Sequence, residues 1–275
     1  MGLLQKTAIG IAGLILCAMP AAAATAPIEI CTGHIVYPFM DGRLLGHLPY
    51  GDASPFDLVA APPGFGIGEN CLIQRAAAID LTRLLNAANA VPEVANQLRG
   101  VSCHRSISRQ RAVFCGQVGP GRRFATPGQR AQFVAPPGFS EHSTGYTIDF
   151  GIRPALNCFD VDPCIASTAA GRWLAAHARE YGFEMSFYWH NKQGVTWEPW
   201  HWRWVGTSPS APGAVPARAI FARARTTFAA NPAVIDASAP WPQQPAKPAT
   251  SPILPTPPGH VEIPPGVFPP PPPKP

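Results

Sequence analysis

Gly138-Phe139-Ser140-Glu141-His142-Ser143-Thr144-Gly145-Tyr146-Thr147-Ile148-Asp149-Phe150 is the stretch on which the fold turns. Its first half has the small and polar residues of a loop. Its second half, Tyr146 to Phe150, alternates with the two-residue period of a β-strand, so Asp149 leaves the sheet in a direction the strand fixes. A second segment, Glu198-Pro199-Trp200-His201-Trp202-Arg203-Trp204, sets a glutamate and a histidine three apart beside another strand expected over Trp202–Val205. A third, Arg105-Ser106-Ile107-Ser108-Arg109-Gln110, runs into a short helix expected over Ser106–Phe114.

Working outward, Gln74 to Leu98 reads as helix, because Ile79, Leu81, Leu84 and Leu85 make an apolar stripe near 3.6 spacing. Pro92 should interrupt it or start a second helix. Thr168 to Tyr181 reads as an amphipathic helix that ends at Gly182, Phe183 to Trp189 as a strand, and Pro216 to Ala229 as a last helix. Residues 27–70 are rich in Gly and Pro and should be loops with one or two short strands. Helices and strands that do not strictly alternate predict an α+β fold: a small antiparallel sheet with flanking helices.

Composition divides the chain further. Of 35 prolines in 275 residues, 17 fall in the 44 residues from 232 to 275. That segment is expected to be a disordered proline-rich tail of polyproline II character, its partner unidentified. At the other end, Lys6 followed by the uncharged run Ala8–Met19, Pro20 and a stretch of alanines reads as a signal peptide over residues 1–24. The run is short for a membrane span, and Leu16 before Cys17 argues against a lipid-anchored cysteine. Residues 25–231 remain as the globular domain. Export leaves Cys31, Cys71, Cys103, Cys115, Cys158 and Cys164, an even number in an oxidising compartment, which predicts disulfides. Of the 15 connectivities open to six cysteines, sequential pairing is expected, each bridge closing a local loop. No C-x2-C pair suggests a cysteine zinc cluster. The net charge of +5 is modest, and no basic helix or aromatic-studded basic patch suggests nucleic-acid binding.

Two histidines and a carboxylate are what a catalytic zinc site needs, since three protein ligands leave one tetrahedral position open. A further carboxylate near the metal can take and return a proton. Glu198 suits that place, because Pro199 and Trp200 stiffen its link to His201. A histidine by itself is more often structural, so the grouping carries the argument. Around it stand Trp197, Trp200, Trp202, Trp204, Phe187, Tyr188 and Trp189, which strand alternation assigns mainly to core packing.

The three segments resemble the VanY-type D-alanyl-D-alanine carboxypeptidases, the LAS group of zinc peptidases, over about residues 97–206. The likeness lies in S-x-H-x-x-G-x-x-x-D at Ser140–Asp149, E-x-W-H at Glu198–His201, R-S-x-x-x-Q at Arg105–Gln110, the Tyr181-Gly182-Phe183 triplet and the closing Trp204-Val205-Gly206, all in the family's order. Three positions depart from it: Thr147 replaces an alanine, and Cys103-His104 replaces glycine and tyrosine. The resemblance implies a zinc site on the sheet of a disulfide-stabilised domain, with His142, Asp149 and His201 as ligands. It implies Glu198 as general base and then acid, and Arg105 on the scissile carbonyl, a job suited to a fixed charged fork. Ser140 and Gln110 would bind the substrate's terminal carboxylate or adjoining backbone; their plainer readings are a turn residue and a solvated helix face.

The expected function is therefore an exported, periplasmic or secreted, zinc D,D-carboxypeptidase acting on peptidoglycan stem peptides. The alternatives are an L,D-carboxypeptidase or peptidoglycan endopeptidase on the same fold, or a non-catalytic wall-binding module with a proline-rich spacer.

Overall fold

The structure is a computed structural model and describes residues 26–68, 71–155 and 157–236. The expected signal peptide, 1–24, and most of the expected tail lie outside the described residues. In chain order the elements are β1 (Ile28–Cys31), β2 (His34–Val36), β3 (Leu58–Ala60), β4 (Leu72–Gln74), α1 (Arg75–Asn89), β5 (Leu98–Ser102), α2 (Ile107–Cys115), α3 (Pro127–Ala131), β6 (Thr147–Ile152), α4 (Ala169–His177), β7 (Phe183–Met185), β8 (His201–Trp204) and α5 (Ala214–Thr227). Two hairpin-like pairs, β1–β2 and β3–β4, accompany a four-stranded sheet of order β5-β6-β8-β7 whose neighbours are all antiparallel. The α+β architecture is the expected one.

The central strands are buried on both faces, and the two faces differ in chemistry. Ile148, Phe150, Trp202, Trp204, Phe183 and Met185 point one way, into a core shared with Leu81 and Leu84 of α1 and Leu174 of α4. Alternation sends Thr147, Asp149, His201, Arg203 and Glu184 the other way. The register seals this arrangement: Asp149 lies opposite His201, and Arg203 lies between Thr147 and Glu184. A slip of one residue would put every charge into the apolar core. The indole N–H of Trp204 donates to Asp80 of α1 at 3.0 Å, and its ring stacks on Tyr146 at 5.7 Å. Those contacts fix α1 against the sheet.

Glycine matters most where the polar loop enters β6. Gly145 ends a 3-10 turn, Glu141–Thr144, with φ 73°, a left-handed conformation that costs other residues. A β-carbon there would also stand 2.6 Å from Leu58. Gly182, with φ 80°, closes the helical run from α4 in the same manner, as the sequence predicts.

Several elements differ from expectation for local reasons. The helix expected over 74–98 stops at Asn89; turns carry residues 90–97 past Pro92 and the left-handed Asn96, and Leu98–Ser102 is then an edge strand of the main sheet. The strand expected over Phe183–Trp189 ends at Met185. Residues 27–70 hold three short strands instead of one or two. The folded part also runs through residues 232–236: the Val234 N–H donates to Glu184 and Asp236 pairs with Arg218 at 2.7 Å.

Of the sequential pairing, only Cys158–Cys164 is found. The other bridges are Cys31–Cys115 and Cys71–Cys103. Neither closes a local loop. β1 packs on α2 in a small second core with Phe114 and Phe139, which brings Cys31 to Cys115, while Cys71 and Cys103 meet where the His104 N–H just after β5 donates to the Leu72 carbonyl of β4. Double alanine replacement should rank the bridges by the loops they close, of 84, 32 and 6 residues. Chain entropy gives losses of about 4–5, about 3–4 and about 2 kcal/mol. Urea unfolding of the three variants checks the order.

Candidate metal centre and cleft

Two central strands and one turn bring the polar residues together. Asp149 is the third residue of β6 and His201 the first of β8, opposite one another. His142 sits in the 3-10 turn above them, which Ser140 caps by accepting from the His142 N–H. All three side chains are buried, and one ligand atom from each can be chosen so that the set lies within 4.8 Å of one another. The Asp149 carboxylate divides itself, with one oxygen 3.0 Å from His142 Nε2 and the other 3.0 Å from His201 Nδ1.

The remaining ring nitrogens are held from behind. His142 Nδ1 is 2.8 Å from the Cys103 carbonyl, which can only accept, so this nitrogen carries the proton. His201 Nε2 faces the Glu141 carboxylate at 3.1 Å and donates to it. Each imidazole turns its other nitrogen, the one a metal would use once that nitrogen is deprotonated, toward Asp149. Two imidazoles and one carboxylate form a donor set suited to zinc. Burial alone would raise the Asp149 carboxyl, but His142 and His201 override it and hold it far below the usual range. Burial would lower His201, but Asp149 and Glu141 lift it to about 10. The place favours positive charge.

Glu141 is the residue that motif reading passes over. It is buried and accepts from four groups: Ser186 Oγ at 2.6 Å, Arg203 at 2.8 Å, His201 at 3.1 Å and Tyr50 Oη at 3.3 Å. Burial would raise its carboxyl; Arg203 and His201 hold it well below normal. Arg203 also binds Glu184 at 2.9 Å. A signal for Glu141 was present in the sequence: an arginine between two tryptophans on a central strand has to find buried acids.

Glu198 lies in the turn before β8, where the His201 N–H donates to the Glu198 carbonyl. Its carboxylate is 3.7 Å from His201 Nδ1 and nearly buried. Burial pushes it up to about 8, against the charge of His201. Arg105 is half-buried, with Nε bonded to Gln110 Oε1 and Nη1 3.0 Å from Ser102 Oγ. Gln110 is fully buried; its amide donates to the Ala135 carbonyl. It is no solvated helix residue, and it stands behind Arg105. Arg105, Ser140, His142, Asp149, Glu198 and His201 all border one cleft of about 390 Å³. Of the aromatic group, Trp202 and Trp204 are core, whereas Trp189 and Trp200 are half-exposed along a groove beside that cleft.

The family described as VanY, D-alanyl-D-alanine carboxypeptidase, matches residues 70–207, and the chain belongs to it. The match starts well before the likeness seen at 97–206 and takes in β4, α1 and Cys71. Carboxypeptidase YodJ of Bacillus subtilis is 36% identical over 163 residues, 57% of this chain and 56% of that protein. The bifunctional D-Ala-D-Ala dipeptidase and D-Ala-D-Ala carboxypeptidase VanXYC of Enterococcus gallinarum is 38% identical over 78 residues, 27% of this chain and 40% of that protein. The chain thus spans about half or less of these curated relatives. Among solved structures, the LdcB LD-carboxypeptidase is 30% identical, with a TM-score of 0.49, over 63% of this chain and 76% of the other. No helix among the described residues is long and apolar enough to cross a membrane.

Glu141→Gln should lower the unfolding free energy by about 3–5 kcal/mol, since it leaves Arg203 half unpaired in the interior. Glu141→Gln combined with Arg203→Met should recover part of that loss, because the orphaned charge goes too. Urea titration of both variants measures the difference.

Proposed function

We propose that the chain is an exported zinc metallopeptidase, a D,D-carboxypeptidase that removes the terminal D-alanine from peptidoglycan stem peptides. The observation that carries this reading is the buried His142–Asp149–His201 set with Glu198 beside it, in a chain of the VanY family. The three disulfides support an oxidising location outside the cytoplasm, periplasmic or secreted.

His142 Nε2, the Asp149 carboxylate and His201 Nδ1 would hold the zinc. Bound zinc supplies Lewis acidity, polarising a carbonyl oxygen and making water nucleophilic at neutral pH. Glu198 takes the proton of the attacking water. Its raised carboxyl lets it then give that proton to the departing amine nitrogen, as general acid–base catalysis near neutrality requires. Water adds to the carbonyl carbon, the C–N bond breaks, and a shortened peptide carboxylate and free D-alanine result. Arg105 donates to the carbonyl oxygen as charge develops there. Gln110 and Ser102 hold the Arg105 fork, so we assign Gln110 a positioning role and leave substrate contact to Ser140, which borders the cleft. The Cys71–Cys103 bridge fixes the strand end that supplies both the Cys103 carbonyl behind His142 and, two residues on, Arg105.

Purified protein given a peptide ending in D-Ala-D-Ala should release D-alanine; chelation should stop release and zinc should restore it. Glu198→Gln should keep its zinc and lose about 10²–10⁴-fold in kcat. Full activity in that variant would sink the mechanism. Mass analysis of the products identifies an L,D-carboxypeptidase or an endopeptidase if a different bond is cut, and sacculus binding without turnover identifies a wall-binding module.

Orientation of His201 by Glu141 gives a separate expectation. Glu141→Gln should weaken zinc binding about 10–100-fold, whereas Glu184→Gln, which touches Arg203 but not His201, should leave zinc affinity within about threefold on the same scale. Competition with a fluorescent chelator reads both.

A further inference from the structure

One wall of the cleft carries charge that the proposed reaction does not use. Phe124, Arg130, Phe133 and Val134 form it, with Arg123 at its rim. Arg130, on α3, is only 9% exposed, yet its sole hydrogen bond from the guanidinium among the described residues runs from Nη2 to the Val113 carbonyl at 3.3 Å. Its Nε is buried without any partner. Arg123 and Arg130 both place their guanidinium carbons over the Phe124 ring, at 5.4 and 5.2 Å. Neither has an ion pair among the described residues, and neither does Arg105 across the same cleft. Burial lowers the Arg130 guanidinium, and the charges of Arg123 and Arg105 push it further the same way.

A buried cation repelled by its neighbours, with donors left over, is costly unless something negative arrives, and Arg130 is that cation. The cleft's own carboxylates do not meet the need: Asp149 and Glu141 are bonded to the histidines, and Glu198 stands beside His201. We propose that Arg130, backed by Arg123, is a carboxylate-binding subsite for the substrate peptide, distinct from the metal ligands and from Arg105. The proposal rests on the peptidase reading for its ligand. The Arg130 guanidinium lines the cleft with Nε unpartnered and Nη1 making no hydrogen bond among the described residues, so it keeps donor capacity for a charge-assisted bond to a carboxylate. Either the peptide's terminal carboxylate or a side-chain carboxylate further along could supply the anion. The chemistry is the same, and the experiment separates them.

The probes are N-acetyl-L-glutamyl-D-alanyl-D-alanine, its C-terminal amide, and its glutaminyl counterpart, which lacks the side-chain charge. Arg130→Gln should raise KM for the first peptide about tenfold or more and leave kcat within about threefold, as expected when a charge-assisted hydrogen bond to bound substrate is lost. The same variant should lose nothing further on whichever amidated peptide has already given up the recognised carboxylate, and that peptide names the source. Arg123→Gln, at an exposed residue that folding does not need, should move KM the same way about two- to fivefold. Calorimetry of the three peptides on zinc-loaded Glu198→Gln protein, with and without Arg130→Gln, reads the subsite independently of turnover. Equal losses on all three peptides from both arginine variants, or none, overturn the proposal. Absence of any cleavage by the wild-type protein, with carboxylate-dependent binding intact, fails the peptidase reading and keeps the subsite.

Discussion

The Glu141 carboxylate is the constraint to which the polar face of the sheet answers. It is one buried anion with four donors drawn from three parts of the chain: Tyr50 between β2 and β3, Ser186 after β7, and His201 and Arg203 from β8. Removing a carboxylate from water is expensive, and only a full set of partners makes it tolerable. The turn that carries Glu141 must therefore dock on the sheet in one place. Since His142 is the next residue, that docking also sets the first imidazole over Asp149. Structure and site share one interaction.

The parts of the site that motif and alternation could reach were legible. Asp149 and His201 follow from strand direction, and Glu198 from its short stiff link to His201. What stayed hidden depends on partners far away in sequence. Glu141 stood in plain view in the opening motif, but its role is defined by Arg203, 62 residues later, and Tyr50, 91 residues earlier. Gln110 reads from the resemblance as a substrate contact, with a solvated helix face as the plainer alternative, because helix periodicity says which face is apolar and not what a polar residue on the inner face will bond. Leu98–Ser102 has no element assigned from sequence beyond Leu98, the expected end of the preceding helix. Its identity as a strand depends on pairing with β6, which no local signal carries.

The cysteines make the same point about range. A bridge between close positions, Cys158–Cys164, can be guessed from spacing, since a six-residue separation leaves few other ways to place the pair. The two long bridges record tertiary contacts: β1 against α2, and the approach of β4 to β5. Cys103 stands where the family resemblance has glycine. Its bridge constrains the strand end just where the backbone carbonyl receives the His142 proton, so the substitution adds a covalent hold to a hydrogen bond the site already needs.

The division of labour between the faces explains how such a site can be rigid without being self-neutralised. On one face, large side chains such as Trp202, Trp204 and Phe150 exclude water completely and bear the stability. That leaves the other face free to hold groups that are poor for stability: charges kept apart from water, imidazoles turned toward a carboxylate, and a glutamate pushed toward neutrality by burial. The register between β6 and β8 is what keeps the two roles from mixing, because one strand pair supplies both faces. A substitution on the apolar side would therefore be felt in the positions of Asp149 and His201 before the domain unfolds, since any shift in pairing moves both faces together. Stability in this fold serves to hold direction, and the chemistry depends on direction.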